Sequence, residues 1–166
     1  MPLPNSNQIK MKRLIKFLLL FFCITTLNAQ TIYEEFDSYK LGEKRQIKIQ
    51  LPRNYEENTE KTYPLFVVLD GDYMFEVVAG NVDYYSYWED MPEAIVVGVN
   101  QVNNREEDNY YSEQNSLPTE TGSNFFEFIT MELLTHMVST YRLAEFKVIV
   151  GHGETANFIN YFMLKP

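Results

Sequence analysis

Pro64-Leu-Phe-Val-Val-Leu69 is apolar at every position, and Asp70-Gly71-Asp72 follows it directly. A short apolar run that is rich in β-branched residues and ends at a polar turn predicts a strand buried on both faces, as found in parallel sheets. Residues 94–99 repeat this pattern, and residues 146–150 nearly do. Because parallel strands need crossover connections, the three runs predict intervening helices and an α/β fold with a mostly parallel sheet.

The segments around these strands predict two crossover helices, a last helix and one further strand. Residues 45–51 alternate polar with apolar side chains, which predicts a strand with one exposed face. Residues 74–85 have a loose helical pattern, and a last helix is expected after Gly153. Residues 122–141 predict an amphipathic helix of about five turns, with Thr121 or Ser123 as its N-cap. Its stripe comprises Phe125, Phe128, Ile129, Leu133, Met137 and Tyr141, joined by Glu132 and His136.

The charge balance bears on the kind of partner. The 166 residues include 14 basic and 23 acidic side chains, a formal net charge of -9, and no Lys/Arg run lies beyond the N-terminal segment. An acidic chain without a basic patch repels a polyanion, so no nucleic-acid partner is expected. The composition is globular and without internal repeats, which favours one structural unit over residues 30–166.

The first thirty residues have the layout of a secretory signal peptide. Residues 10–16 are basic, residues 17–27 are largely apolar, and Ala29 is small. This layout predicts cleavage after residue 29 and export to the periplasm or the exterior. The apolar run is shorter than the roughly 20 residues of a membrane span, so no stable span is expected after cleavage. Cys23, the one cysteine, lies inside this run, where it is interpreted as filler rather than as a lipid anchor.

Residues 148–157, Val-Ile-Val-Gly-His-Gly-Glu-Thr-Ala-Asn, join the last predicted strand to the last predicted helix. In α/β-hydrolases the Gly-x-Ser-x-Gly nucleophile elbow lies at this position, because its tight turn needs unusual backbone angles. Gly151 and His152 fit that pattern, whereas Gly153 stands at the serine position and Thr155 at the final glycine position. Two glycines alone are a weak signal, since many strand-to-helix turns carry them for steric reasons.

Further motifs make the comparison specific because they follow one another in a fixed order. They are Leu51-Pro52-x-x-Tyr55, Lys61-x-Tyr63-Pro64, Val68-Leu69-Asp70-Gly71-Asp72, Val96-Val97-Gly98-Val99, Asn104-Arg105 with Asp108, Gly122 with Phe125, Phe128, Glu132 and Leu133, Tyr141-Arg142, and Gly151-His152. With these motifs, the chain resembles the "Putative esterase" family of α/β-hydrolases, which includes formylglutathione hydrolase-like enzymes and siderophore esterases. The resemblance spans about residues 43–163 and covers the N-terminal half of such a domain.

The resemblance implies serine-dependent hydrolysis of a carboxylic ester, but this chain lacks the residues for it. Gly153 has no hydroxyl that can attack a carbonyl, and the 13 residues after it contain neither Asp nor His. The chain is therefore expected to be inactive, as a fragment or truncated gene product of an esterase. The alternative is a non-catalytic module that binds a small-molecule ester or a related ligand.

The resemblance also implies where an oxyanion would be held. The backbone N–H of Glu154 follows the nucleophile position, and a second donor is expected from Gly71, Asp72 or Tyr73 in the loop after the first central strand. Glu154 is also explained structurally, since an acidic residue at a helix N-terminus interacts favourably with the helix dipole by ~0.3 to 1 kcal/mol.

Substrate contacts are expected from Tyr73, Trp88, Arg105 and His152. Residues 84–88, Tyr-Tyr-Ser-Tyr-Trp, are candidates to line a carbohydrate or aromatic pocket, although such clusters are as often simply buried. Residues 106–108 are interpreted as a solvated loop, to which the resemblance adds that Arg105 and Asp108 brace the mouth of the site.

No metal or cofactor is expected. The two histidines, His136 and His152, lie far apart in the sequence, and His136 is interpreted as a hydrogen-bonded residue on an apolar helix face. Asp70-Gly71-Asp72 lacks the further oxygen ligands of a calcium loop and is interpreted as a turn.

Overall fold

A mixed sheet forms the centre of the structure, a computed structural model that describes residues 31–115 and 117–164. Within these residues, five strands lie in the order β1-β2-β4-β3-β5. β3 pairs in parallel with β4 and β5, whereas β2 pairs antiparallel with β1 and β4. The predicted α/β fold with a parallel centre is confirmed. The strands are β1 (Ile32–Ser38), β2 (Glu43–Gln50), β3 (Tyr63–Val68), β4 (Ile95–Val99) and β5 (Leu143–Val150).

Helices connect the strands as the sequence predicts. The first crossover contains α1 (Phe75–Tyr87); the second contains the short α2 (Arg105–Asp108) and a long helical segment. This long segment consists of α3 (Glu120–Glu127), a π-helical stretch (Phe128–Leu133) and α4 (Leu134–Thr140). After β5 follow α5 (Glu154–Ile159) and a 3₁₀ stretch (Asn160–Leu164).

The long helix begins earlier than predicted. Its N-cap is Thr119, which has extended backbone angles, and neither Thr121 nor Ser123 occupies that position. The Thr121 hydroxyl instead donates a hydrogen bond to the carbonyl of Glu107 at 2.8 Å. The preference of Thr and Ser for caps is therefore overridden here by a contact with the preceding loop.

Strand β1 was not among the sequence predictions. Its side chains at positions 32, 34, 36 and 38 are more buried than those between them, and Ile32 and Phe36 pack against the main hydrophobic cluster. Only these two of its inward-facing residues are large and apolar, which makes the period-two signal weak.

Buried side chains lie on both faces of the sheet. One face packs against α3, the π-helical stretch, α4 and α5, and the opposite face packs against α1. The first cluster includes Ile47, Leu65, Val97, Phe125, Phe128, Leu133 and Phe158, and the second includes Val68, Val96, Phe75, Ala79 and Val82. Helices on both faces are what a parallel sheet requires.

The prediction of burial on both faces holds for β4 and largely for β3 but is wrong for β5. All five residues of β4 are buried, whereas Phe146 of β5 is 66% exposed. The difference follows from position, because β5 lies at the edge of the described sheet and β4 lies inside it.

Among the described residues, no helix has the length and apolarity that crossing a membrane requires. The predicted signal peptide and Cys23 lie outside the described residues.

Candidate functional site

The turn between β5 and α5 has the backbone of a nucleophile elbow. Gly151 lies so close to α5 that a Cβ atom would lie 2.8 Å from Ile159 Cδ1 and 2.9 Å from Thr155 Oγ1, which leaves room for glycine alone. Gly153 has φ 61° and ψ -117°, a region that residues with a side chain rarely adopt. The sharp turn expected at a catalytic serine is therefore present, with glycine in that place.

The space at Gly153 is open. A Cβ atom there would meet only Arg105 Nη2, at 3.8 Å, an ordinary van der Waals distance. The nucleophile position therefore has room for a side chain but holds none.

Arg105 lies across this turn. Its Nε donates to Asp70 Oδ1 at 2.7 Å, its Nη1 to Glu154 Oε2 at 2.5 Å and its Nη2 to the carbonyl of His152 at 3.2 Å. The hydrogen bond with Asp70 raises the pKa of Arg105 above its usual value. Because the Glu154 side chain is 69% exposed, its bridge contributes about 1 kcal/mol at most. The contact with Asp70 is the one that fixes Arg105 in place.

Asp70 is the centre of the polar network behind the turn. Its carboxylate is fully buried and accepts hydrogen bonds from Arg105, from Thr155 Oγ1 at 2.8 Å and from the Tyr73 hydroxyl at 3.1 Å. From the sequence, Asp70 is expected only to form a turn. A signal was available, because β3 and β5 are parallel neighbours whose carboxyl ends, and hence Asp70 and the Gly151 turn, meet at one edge of the sheet.

Thr155, at the position of the final glycine of the elbow pattern, links α5 to this network. Its hydroxyl is buried, donates to Asp70 and accepts the backbone N–H of His152 at 2.8 Å. Two turns that are 85 residues apart in the sequence are thereby joined through one side chain.

The structure separates the four expected oxyanion donors into two groups. The N–H of Gly71 donates to the carbonyl of Val99 at 2.7 Å, and that of Tyr73 donates to the carbonyl of Asp70 at 3.1 Å. Both amides therefore already have a backbone acceptor in this structure. Within the described part of the chain, the amides of Asp72 and Glu154 have no acceptor. Only these two are available to a ligand.

Three of the four expected substrate contacts lie together, and Trp88 does not. Tyr73 is 46% exposed, and its ring meets the exposed ring of His152 edge-on at 6.5 Å between centroids. Burial, reinforced by the hydrogen bond with Asp70, raises the pKa of Tyr73. Trp88 follows the far end of α1, a 13-residue helix and thus about 20 Å from the loop that holds Tyr73. Trp88 therefore lies apart from the other three expected contacts.

The prediction of a solvated loop at residues 106–108 fails at Asp108. This carboxylate is 3% exposed and receives both Arg45 Nη1 and Nη2 at 2.7 Å, together with Gln101 Nε2 at 2.9 Å. Burial raises the pKa of Asp108, while the Arg45 guanidinium acts to lower it. Glu106 and Glu107 are exposed as expected. Asp108 thus fixes α2, and with it Arg105, against β2.

His136 lies away from the turn, as a hydrogen-bonded helix residue. Its Nε2 lies 3.2 Å from Glu34 Oε2 of β1, and its ring meets Phe36 edge-on. Among the described residues, no group of three or more His, Cys, Asp or Glu side chains is arranged to hold a metal ion.

Comparison with known proteins gives a family match. The family model described as "Putative esterase" matches residues 38–155. No curated protein matches the sequence.

Several solved structures are similar. An uncharacterised protein from Capnocytophaga ochracea is 33% identical, with a TM-score of 0.76 over 82% of this chain and 37% of its own. An IroE-like serine hydrolase from Shewanella oneidensis is 24% identical, with a TM-score of 0.67 over 78% of this chain and 44% of its own. The enterobactin esterase of Shigella flexneri is 15% identical, with a TM-score of 0.61 over 81% of this chain and 32% of its own. The last two show a shared fold, and the chain spans less than half the length of each of the three.

Proposed function

This chain belongs to the "Putative esterase" family of α/β-hydrolases, and from that premise we propose that it is an exported esterase-like protein without serine-dependent hydrolytic activity. The observation that carries the proposal is Gly153, which keeps the backbone of the nucleophile elbow and supplies no hydroxyl. Ester hydrolysis by this route begins with attack of that hydroxyl on the carbonyl carbon, so the first bond cannot form. Loss of the nucleophile alone costs about 10⁶-fold in kcat in a serine hydrolase.

The polar groups around Gly153 support this proposal. A Cβ atom at residue 153 would lie 3.8 Å from Nη2 of the Arg105 guanidinium, which is a permanent cation and a hydrogen-bond donor only. Arg105 therefore cannot act as the base that would activate water in place of a serine.

A second function, binding of a small-molecule ester without cleavage, is favoured by the free amides of Asp72 and Glu154. They are hydrogen-bond donors suited to a carbonyl oxygen, and the exposed rings of Tyr73 and His152 flank the turn. The Glu154 carboxylate disfavours an anionic ligand here, so we expect a neutral ester or amide.

Export rests on the N-terminal pattern, and we propose residues 1–29 as the signal and residues 30–166 as esterase-family sequence. N-terminal sequencing of the protein from its native source tests this. A mature N-terminus at or within a few residues of position 30 is expected, and an intact Met1 or Met11 contradicts export by cleavage. The intact mass of the same sample tests the alternative of a truncated gene product, which requires a mass no greater than that of this chain.

The activity test uses the purified chain with a chromogenic acetate ester. We expect hydrolysis at the rate of buffer alone, and hydrolysis above that rate contradicts the proposal. The variant Gly153→Ser restores the hydroxyl, with Gly80→Ser, a helix position with open space around it, as the matched control. Because the residues after Gly153 supply neither Asp nor His to activate that hydroxyl, both variants of this chain are expected to remain inactive. Hydrolysis by Gly153→Ser and not by Gly80→Ser would instead show that the missing hydroxyl is the sole cause of inactivity.

The binding test uses saturation-transfer NMR with ethyl butyrate as the probe. We expect transfer to the ester with the wild-type chain, a reduced signal with Tyr73→Ala, and an unchanged signal with Tyr39→Ala. Tyr39 is 90% exposed on the turn between β1 and β2 and serves as the control. Equal signals from the two variants contradict binding at the Gly153 turn.

A further inference from the structure

A second concave site lies at the opposite edge of the sheet. It is a cleft of about 620 Å³ between the residues that follow β2, the C-terminal part of α1 and the segment that leads into β4. The Gly153 turn follows the carboxyl end of β5, whereas this cleft lies where β4 begins, at the amino ends of the parallel strands. None of the polar groups around Gly153 lines it.

Four of the six charged side chains that line the cleft form two ion pairs, whereas Glu89 and Asp90 have no ion-pair partner among the described residues. Arg53 donates to both Asp83 carboxylate oxygens, at 2.7 and 2.6 Å, and Lys61 lies 2.5 Å from Glu93. The two unpaired carboxylates repel an anionic ligand, whereas a neutral ligand meets no such repulsion. The same paired groups, with the amide of Asn54 and the carboxylate of Asp90, offer both donors and acceptors to neutral hydroxyl groups.

Exposed aromatic rings adjoin the cleft. Tyr84, Tyr87 and Trp88 are spaced i, i+3 and i+4 and therefore share one side of the last turn of α1. They are 57, 60 and 61% exposed, and Tyr87, which lines the cleft, meets Trp88 edge-on at 5.3 Å between centroids. Clustered exposed rings are unusual on a protein that keeps its apolar groups inside, and they mark a contact surface.

We infer that this cleft is a binding site for a neutral saccharide. A sugar ring has an apolar C–H face that stacks on an aromatic ring and a rim of hydroxyl groups that hydrogen-bond to amides and carboxylates. Tyr87 lines the cleft and Trp88 adjoins it. Because the Arg53 guanidinium lies over one face of the Tyr87 ring, 4.9 Å from its centroid, the stacking surface is the other face of Tyr87 together with Trp88. Asn54, Asp90 and the Arg53–Asp83 pair supply the hydrogen-bonding rim. The inference rests on this cleft alone and holds whether or not the Gly153 turn binds an ester.

The test uses the fluorescence of Trp88, the single tryptophan of the chain, as an internal reporter. The purified chain is titrated with neutral xylo-, cello-, malto- and chito-oligosaccharides up to about 10 mM, ten times a Kd of about 1 mM. At least one series is expected to change the emission in a saturable way. Tyr87→Ala is expected to weaken that affinity about tenfold, whereas Tyr39→Ala and Tyr73→Ala leave it unchanged.

Three outcomes would overturn the inference. The first is that no oligosaccharide changes the Trp88 emission. The second is that Tyr87→Ala binds as tightly as the wild type, or that Tyr73→Ala alone loses binding, which would place the sugar at the Gly153 turn. The third is salt-sensitive binding of the polyamine spermine with none of the saccharides, which would assign the cleft to a cationic ligand. Circular dichroism of each variant verifies that it is folded.

Discussion

At the scale of single residues, the backbone at Gly153 shows that an elbow does not need its nucleophile to form. The turn is held by close packing of Gly151 against α5 and by the Thr155 hydroxyl, which bonds to Asp70 of a neighbouring strand end. Residue 153, which lies between these contacts, has φ 61°. Strain at an active-site turn is thus a property of the packing around it.

Gly153→Ser is therefore expected to destabilise the fold by about 1 to 3 kcal/mol, through backbone strain rather than a steric clash. The measurement is urea unfolding followed by circular dichroism. Gly80→Ser, in the middle of α1 with nothing within 4 Å of its Cβ position, is expected to be neutral or slightly stabilising because glycine is a poor helix former. Equal losses in the two variants would contradict the assignment of strain to residue 153.

The pair of Arg105 and Asp70 gives a second prediction at this scale. Arg105→Met leaves a fully buried carboxylate without its cation and is expected to cost about 3 kcal/mol of unfolding free energy. Arg53→Met breaks a surface pair with similar two-point geometry, in which Arg53 is 57% exposed, and is expected to cost about 1 kcal/mol or less. The free energy of unfolding of both variants is measured in urea. Similar losses in the two variants would contradict the prediction that burial of Asp70 makes its ion pair more important for stability.

At the scale of elements, the long helical segment shows how a stripe of apolar residues can include a carboxylate. Glu132 lies in the π-helical stretch, where it accepts the Ser38 hydroxyl at 2.5 Å and the Lys40 backbone N–H at 3.0 Å. It thereby fixes the turn between β1 and β2 against the helix. A π-helical turn carries an i→i+5 pattern, which apolar periodicity in a sequence does not distinguish from an α-helix.

The end of α1 offers a stabilising substitution. Glu89 has φ 62°, and its N–H donates to the carbonyl of Ser86 at 3.2 Å, so it holds the left-handed position that ends a helix. Glu89→Gly is expected to raise the unfolding free energy by about 0.5 to 1 kcal/mol, because glycine has no steric cost in this region.

Thermal unfolding of the Glu89→Gly variant measures this gain. Glu57→Gly, an exposed loop position without positive φ, is the control and is expected to gain nothing. A fall in Tm for Glu89→Gly would contradict this prediction. It would show that the Glu89 side chain stabilises the fold by more than its positive φ destabilises it.

At the scale of the whole molecule, a chain of buried polar contacts joins distant parts of the sequence. Arg45 of β2 binds Asp108 of α2, Asp108 accepts Gln101 Nε2, and Gln101 Oε1 accepts the backbone N–H of Asp70. The antiparallel part of the sheet is thus connected to the Gly153 turn through satisfied hydrogen bonds. Such networks favour one arrangement of the chain because each buried group left without a partner is costly.

Stability at high pH tests another long-range contact. The Tyr141 hydroxyl donates to Glu34 Oε1 at 3.3 Å, and burial together with the Glu34 carboxylate raises the pKa of Tyr141 to about 12. Between the ordinary value of 10.0 and about 12, the unfolded chain loses this proton while the folded chain keeps it. The folded state is therefore progressively destabilised as pH rises through that window.

Tyr141→Phe removes this titrating proton. In this window, the free energy of unfolding of the variant is therefore expected to decrease less steeply with pH than that of the wild type, by up to about 1.4 kcal/mol per pH unit. The free energy of unfolding is measured in urea at several pH values across the window. The control is Tyr39→Phe, a tyrosine that is 90% exposed, which should keep the wild-type slope. An unchanged slope in Tyr141→Phe would contradict the contribution of Tyr141.

The elements that sequence alone predicts are those encoded by local repetition. The apolar runs of β3 and β4, the alternation in β2 and the helical stripe over residues 122–141 each carry their own period, and the order Gly151-His152-Gly153 marks the turn. The sequence pattern did not predict strand β1, because only two of its inward-facing residues, Ile32 and Phe36, are large and apolar.

The tertiary structure alone decided which polar residues form hydrogen bonds and ion pairs with one another. Asp70, Asp108 and Thr155 are buried, and each has a hydrogen-bond partner 31 to 85 residues away. No local pattern encodes a partner at such a distance. Trp88 lies at the far end of α1 because helix length, and not composition, sets its position. Sequence periodicity determined which segments form strands and helices, whereas the packing of those segments determined which charges are buried and which rings face solvent.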